Sequence, residues 1–289
     1  MLLVSFLENS LPAWVATVTC LGLIVGSFLN VVIHRLPIMM EQEWRNHCAE
    51  LAGTPVPATE PYNLMVPRSR CPHCGHAIGA FENIPVLSYL LLRGRCRACK
   101  TRISPRYLLI EIVCGFLSGW VAWHFGFGWP ALGALLLTWA LLALAVIDLE
   151  KQLLPDKITL PILWLGLLFN LAHSFTDMRS ALIGAVAGYL SLWCFYHVVR
   201  LLTGKEGMGY GDFKLFALLG AWLGWQSLLL IILLASATGA LVGIGLILSR
   251  RLQRGIPIPF GPYLAAAGWI ALLWGPQITR SYLAMMGAA

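Results

Sequence analysis

The chain has 289 residues, 58% of them hydrophobic and 11% charged, with a formal net charge of +7. That composition lies far outside soluble-domain averages and belongs to the polytopic membrane class, which excludes a large soluble domain. The positive charge reads as a membrane signature and calls for no nucleic acid partner.

The first residues lack the basic segment of a secretory signal, and Glu8 stands where such a signal carries Lys or Arg, so the first apolar run is expected to stay as a membrane span. Apolar stretches at about 12–33, 107–126, 129–147, 158–173, 180–199, 213–224, 226–248 and 258–275 predict an all-α polytopic membrane protein with about eight transmembrane helices. The stretches at 158–173 and 213–224 are short for a full crossing, and Gly220 and Gly224 leave room for a re-entrant segment in the latter. With alternate loops on one side, 18 of the 20 basic residues share that side and only Arg179 and Arg280 fall on the other. The basic side is therefore expected to be cytoplasmic, with Arg250, Arg251 and Arg254 set to hold anionic membrane lipids.

Three parts are expected: a first transmembrane helix at 1–36, a cytoplasmic insertion at 37–104, and a membrane core at 105–289. In the first span Gly22 and Gly26 lie four residues apart, and Gly115 with Gly119, Gly184 with Gly188, and Gly239 with Gly243 repeat the spacing that lets helices approach closely in lipid. Asn30 follows in the same span, where a helix-to-helix hydrogen bond explains it as well as function does. In the insertion, Pro55, Pro57, Pro61 and Pro67 discourage an early helix. Cys71 with Cys74 and Cys96 with Cys99 form two Cys-x-x-Cys knuckles separated by 21 residues, just beyond the usual window for a four-cysteine zinc site. Disulfides compete, but a reduced cytoplasmic loop favours zinc in a closed structural tetrahedron. His73 and His76 are placed outside the ligand set, and the apolar run from Asn83 to Leu92 is expected on the membrane surface or against the helices.

Four acids in or beside the spans carry the chemical argument. Glu111, about a turn and a half into the second span, reads mainly as a positioning or paired group, Arg106 being one partner. Asp148 ends the third span, Asp156 after Pro155 looks like a helix cap, and Asp212 follows Gly209, Tyr210 and Gly211 at the start of an apolar helix. On the expected topology Asp148 and Asp212 share one membrane face and one depth. Two carboxylates brought together at such a boundary do not both ionise cheaply, so one keeps a proton while the other is charged, which is the pairing of aspartic proteolysis. The competing reading is an ion-coupled transporter with interfacial carboxylates and a structural zinc domain; the placement of both acids at one face, away from the midplane, favours the protease. The run Pro257, Ile258, Pro259, Phe260, Gly261, Pro262, Tyr263 suggests a shaped wall, without a chemical role.

Gly209, Tyr210, Gly211, Asp212 resembles the Gly-x-Gly-Asp motif of intramembrane aspartic proteases. With Ile147 and Asp148, Leu154 to Asp156, Gly26 to Asn30, and the paired knuckles, nearly the whole chain resembles the bacterial type IV prepilin peptidases. The resemblance implies a bifunctional enzyme of the bacterial inner membrane, with active site and zinc domain facing the cytoplasm. It would cleave the basic leader of type IV prepilins and type II secretion pseudopilins after a glycine, then methylate the new N-terminal amine with S-adenosylmethionine. Asp148 and Asp212 become the catalytic pair, with Gly209, Gly211 and Lys214 in support; the methyl-donor site has no glycine fingerprint, and Gly94 and Glu111 are its candidates. Acids at the mouth, Asp148, Glu150, Asp156, Glu206 and Asp212, are expected to receive the basic leader.

Overall fold

Every one of the eight apolar stretches is helical in the computed structural model, which describes residues 2–55, 62–204, 208–249 and 258–285. In chain order the helices are α1 (Leu2–Asn9), α2 (Leu11–Leu51), α3 (Leu87–Leu91), α4 (Pro105–Phe125), α5 (Trp129–Lys151), α6 (Asp156–Leu171), α7 (Met178–Thr203), α8 (Tyr210–Leu223), α9 (Leu228–Leu248) and α10 (Gly261–Met285). Among the described residues there is no sheet, only two isolated antiparallel bridges, Arg70 with Ala77 and Arg95 with Arg102. Lys205, Glu206, Arg250, Arg251, Arg254 and Pro257, invoked for the leader, the lipid and the last loop, lie outside the described residues.

Five helices, α2, α4, α5, α7 and α9 with the turn before it, are long and apolar enough to cross a membrane. At about 1.5 Å per residue, α6 with 16 residues and α8 with 14 fall short of the roughly 30 Å hydrocarbon layer. The longer α10 is diluted by Gly261, Pro262, Gly275, Pro276 and Gln277. By contrast α2, with 41 residues, spans about 60 Å and must extend well past the lipid. Pro37 lies within it without ending it, and Gly53 follows its end with φ of 63°. Position 36/37 therefore falls inside α2, while 104/105 coincides with the start of α4.

Contacts divide the chain into two units, Met1–Phe127 and Gly128–Ala289. In the first, α2 and α4 pack along each other through small residues: a Cβ at Gly26 would stand 2.8 Å from the Glu111 Cα, and one at Gly115 2.6 Å from Leu23. Asn30 Nδ2 donates to the Tyr107 carbonyl at 3.0 Å across the same pair, the expected helix-to-helix bond. In the second unit α8 is the central helix, packed by α6, α7 and α10. Its Phe213, Leu215, Leu218, Leu219, Ala221 and Trp222 are fully buried, in keeping with a helix that is apolar on every face beyond Lys214. Gly220 meets Gly184 backbone to backbone, so it marks a helix crossing, and α8 ends at Gly224 with φ of 80°. The buried Asn170 closes that end, its amide donating to the Ala221 and Trp222 carbonyls at 2.9 Å and accepting from Phe175 and Thr176 at 3.1 Å.

Candidate active site and metal centre

Asp148 sits in the last turn of α5, where Gln152 takes a left-handed conformation and donates its N–H to the Asp148 carbonyl at 2.9 Å, ending the helix. The side chain is only 6% exposed, and its Oδ2 accepts the Gly261 N–H at 3.0 Å. Any Cβ at position 261 would stand 2.6 Å from that oxygen. The glycine in the proline-rich run is therefore required by the site, because it lets the first N–H of α10 reach a carboxylate.

Asp212 is the third residue of α8, and Gly209 is its N-cap. The Gly209 N–H donates to Asp212 Oδ2 at 3.3 Å while the Asp212 N–H returns to the Gly209 carbonyl at 3.2 Å, the acidic half of a capping box. The positive end of the helix dipole favours an acid at this place. Asp212 is 7% exposed, and its Oδ1 is buried without a hydrogen-bond partner among the described residues. Gly211 serves close approach, since a Cβ there would lie 2.8 Å from the Leu154 Cβ. The same Leu154 comes within 3.3 Å of a Cβ at position 261, so it wedges between the two glycines beside the two acids. Both carboxylates belong to one unit and act on each other electrostatically.

Lys214, one turn up α8, binds Asp156 at 2.8 and 2.6 Å and so ties α8 to the start of α6. Asp156 is not the cap expected of it. Pro155 occupies that position, and Asp156 is the first helical residue, free to bond across to Lys214. Tyr196 and Tyr210 pack around Phe213 in tilted and edge-to-face contacts with ring centroids 5.4–5.7 Å apart, holding the start of α8.

In the first unit the two knuckles are copies of one turn. Cys71 N–H bonds to His76 O at 2.9 Å and Gly75 N–H to Cys71 O at 2.9 Å; Cys96 N–H bonds to Thr101 O at 2.8 Å and Lys100 N–H to Cys96 O at 3.0 Å. Gly75 and Lys100, at matching places, both have positive φ. The turns bring the four sulfurs within 4.8 Å of one another, with Cys71 to Cys99 at 3.8 Å and Cys74 to Cys96 at 3.9 Å. A zinc tetrahedron with bonds of about 2.3 Å has edges of about 3.8 Å, so the donor set fits that ion. Hydrogen bonds from the Thr101 hydroxyl and backbone bring the Cys99 thiol down to about 6, and backbone hydrogen bonds at Cys74 and His73 lower that of Cys71. Cys74 is the proton holder: the His76 backbone draws it down, but loss of water and its sulfur neighbours carry it up to about 11. His76 is engaged elsewhere, with Glu82 at 3.1 Å, as its placement outside the ligand set requires.

Gly94 and Glu111 lie at different cavities. Gly94, with φ of 64°, packs on Tyr89 and lines a space of about 550 Å³. Glu111 lines a larger one of about 650 Å³ and accepts the Val86 N–H at 2.8 Å.

Residues 20–125 match the family model described as the bacterial peptidase A24 N-terminal domain, and residues 135–244 match the type IV leader peptidase family. The chain is 58% identical over 281 residues to a protein named prepilin leader peptidase/N-methyltransferase from Stutzerimonas stutzeri, covering 97% of both chains. Proteins of the same name from Pseudomonas aeruginosa (56% over 286 residues, 99% of both chains) and Aeromonas hydrophila (60% over 283 residues, 96% of this chain and 97% of the other) extend the match. The chain belongs to the type IV leader peptidase family. No solved structure matches it. In this type IV leader peptidase the two family models fall one in each packed unit, the four cysteines in the first and the two aspartates in the second. Sequence reasoning missed Gly261 and Leu154 as neighbours of the acids; the signal for Gly261 was a lone glycine between prolines at the start of a span.

Proposed function

We propose that the chain removes the leader peptide of type IV prepilins and type II secretion pseudopilins and then methylates the exposed N-terminal amine from S-adenosylmethionine. The observation that carries this is the match, over nearly the full length, to proteins bearing that double name. Asp148 and Asp212 are the catalytic pair in this reading. One carboxylate takes a proton from water as its oxygen attacks the scissile carbonyl; the other, protonated, supplies a proton so that the C–N bond breaks with an amine leaving. The pair acts as one titrating unit. Burial supports this assignment, as do the backbone N–H groups of Gly261 and Gly209, which hold one oxygen of each acid. Gly209 and Gly211 act as supports by letting backbone and Leu154 close in, and Lys214 by anchoring α8 to α6.

The functional parts in this proposal are a first membrane helix at 1–36, a zinc-binding insertion at 37–104 and a cleavage core within 105–289. Zinc held by Cys71, Cys74, Cys96 and Cys99 supplies a structural crosslink with no open position. The skew of basic residues supports a multi-pass placement in the bacterial inner membrane with both sites on the cytoplasmic side, where anionic lipids meet peripheral Arg and Lys. Purified protein incubated with a prepilin-like peptide and S-adenosylmethionine, read by mass spectrometry, tests the reading. Cleavage with one added methyl is expected; cleavage without a methyl removes the second activity, and an intact peptide removes both.

A further inference from the structure

We propose that the larger cavity of the N-terminal unit is the S-adenosylmethionine site, with Asn30 Oδ1 and the Glu111 carboxylate receiving the α-ammonium group of the methionine part. This rests on the methyltransferase reading above. The cavity, about 650 Å³, has the size of a small-ligand site and is walled by α2, α4 and the insertion.

Asn30 is 5% exposed and lines this space. Its Nδ2 is committed to the Tyr107 carbonyl at 3.0 Å, which fixes the orientation of the amide, and its Oδ1 is buried without a hydrogen-bond partner among the described residues. A buried acceptor left unmade is costly, and its partner must be a donor. Glu111 lines the same cavity from α4, with Oε2 held by the Val86 N–H. Gly26, one turn before Asn30 on the same face of α2, touches the Glu111 backbone, so the two helices bring amide oxygen and carboxylate to one region of the wall. Two acceptors, one of them charged, suit an ammonium and reject an anion. Arg68 and Arg70 line the cavity as well and give it the opposite charge that an amino acid's carboxylate needs, and Tyr62 and Tyr89 are among its lining residues, the Tyr62 ring carrying the Arg35 guanidinium 5.6 Å from its centroid. Polar groups of this kind within membrane helices are expensive to keep without a functional role.

The test uses the full-length enzyme in detergent and titration calorimetry with two nucleosides: S-adenosylhomocysteine, which keeps the amino acid, and 5′-methylthioadenosine, which lacks it. Glu111→Gln and Asn30→Ala are each expected to weaken the first by at least about tenfold, the scale of a charge-assisted contact, and the second by less than about twofold. A structural role would move both ligands together, and such an equal loss overturns the proposal, as does no loss. In the unmutated enzyme, ultraviolet crosslinking of tritiated S-adenosylmethionine should label peptides within residues 20–125; label confined to residues 128–289 also overturns it. An enzyme that methylates and binds S-adenosylhomocysteine while both variants bind it normally sinks the location alone. An enzyme that neither binds it nor methylates sinks the methyltransferase reading with it.

Discussion

Replacing Gly261 by alanine isolates the link between backbone position and the Asp148 carboxylate. The new Cβ would stand 2.6 Å from Asp148 Oδ2 and 3.1 Å from its Cγ, with Leu154 Cδ1 at 3.3 Å blocking retreat on another side. Restoring an ordinary contact of about 3.5 Å requires the carboxylate to move by roughly 0.9 Å. That shift lengthens the Gly261 N–H bond, now 3.0 Å, and withdraws Asp148 from its setting beside Asp212. A misplacement of about 1 Å at a reacting group costs on the order of 100-fold in rate, or about 2.7 kcal/mol of activation free energy. The backbone at 261 does not lie in the left-handed region, so alanine adds no conformational penalty to confuse the result. We expect cleavage of a prepilin peptide, followed by mass spectrometry across substrate concentrations, to show kcat lowered about 100-fold with KM nearly unchanged. Gly245→Ala, where a Cβ meets nothing within 4 Å, should stay within about twofold of the unmutated rate. A Gly261→Ala enzyme with undiminished kcat would refute the argument that this contact sets the position of Asp148.

Asp148→Asn and Asp212→Asn should each abolish cleavage while membrane insertion and abundance stay normal, and residual turnover by either removes that residue from the pair. Lys214→Met and Asp156→Asn break a part-exposed ion pair and should each slow cleavage by up to about fivefold, with the double variant no worse than either single one; strictly multiplicative losses would show that the pair is not a unit. Elemental analysis should find about one zinc per chain, lost in Cys71→Ser or Cys96→Ser, and a folded metal-free preparation would contradict the site. At about pH 7.5 Cys99 is already ionised and Cys74 is not, so zinc loading should release protons, measurable by calorimetry in buffers of different ionisation enthalpy. Zinc and protons compete for the same thiolates, so zinc retention should weaken as the pH is lowered, and retention independent of pH would count against thiolate ligation.

The helices were legible because an apolar run in lipid has few other conformations, and the acids because a carboxylate at the end of such a run has little other reason to be there. The knuckles were legible because Cys-x-x-Cys is a local turn whose hydrogen bonds lie within a few residues, as from Cys71 to His76. What stayed hidden was contact across long sequence separations. Gly261 lies far down the chain from Asp148, and nothing in its neighbours announces a carboxylate; Lys214 and Asp156 are likewise joined only by the packing of α8 on α6. The length of α2 was hidden for a different reason. Pro37 reads as a helix breaker by propensity, yet a flanking turn packed by buried Arg35 and Leu36 carries the helix through it.

Two buried side-chain oxygens among the described residues lack a hydrogen-bond partner, Asn30 Oδ1 in the first unit and Asp212 Oδ1 in the second. Their cost can be judged against Asn170, an equally buried amide in the same protein whose nitrogen and oxygen are both fully engaged, and which has a purely structural place at the end of α8. An acceptor left bare in such surroundings costs about 1–3 kcal/mol, a penalty that packing alone gives no reason to keep. In both residues the other polar atom of the same group is fixed by a backbone partner, Tyr107 O for Asn30 and Gly209 N–H for Asp212, so the bare oxygen is held in one orientation. That combination, one atom anchored and its twin unmade, is what a site needs if a ligand is to supply the missing donor without reorganisation. On the chemistry proposed for each unit the missing partners are a group handled by the aspartate pair, water or scissile peptide, at Asp212 and an ammonium at Asn30, and the bare oxygens then mark the two reactions of one enzyme.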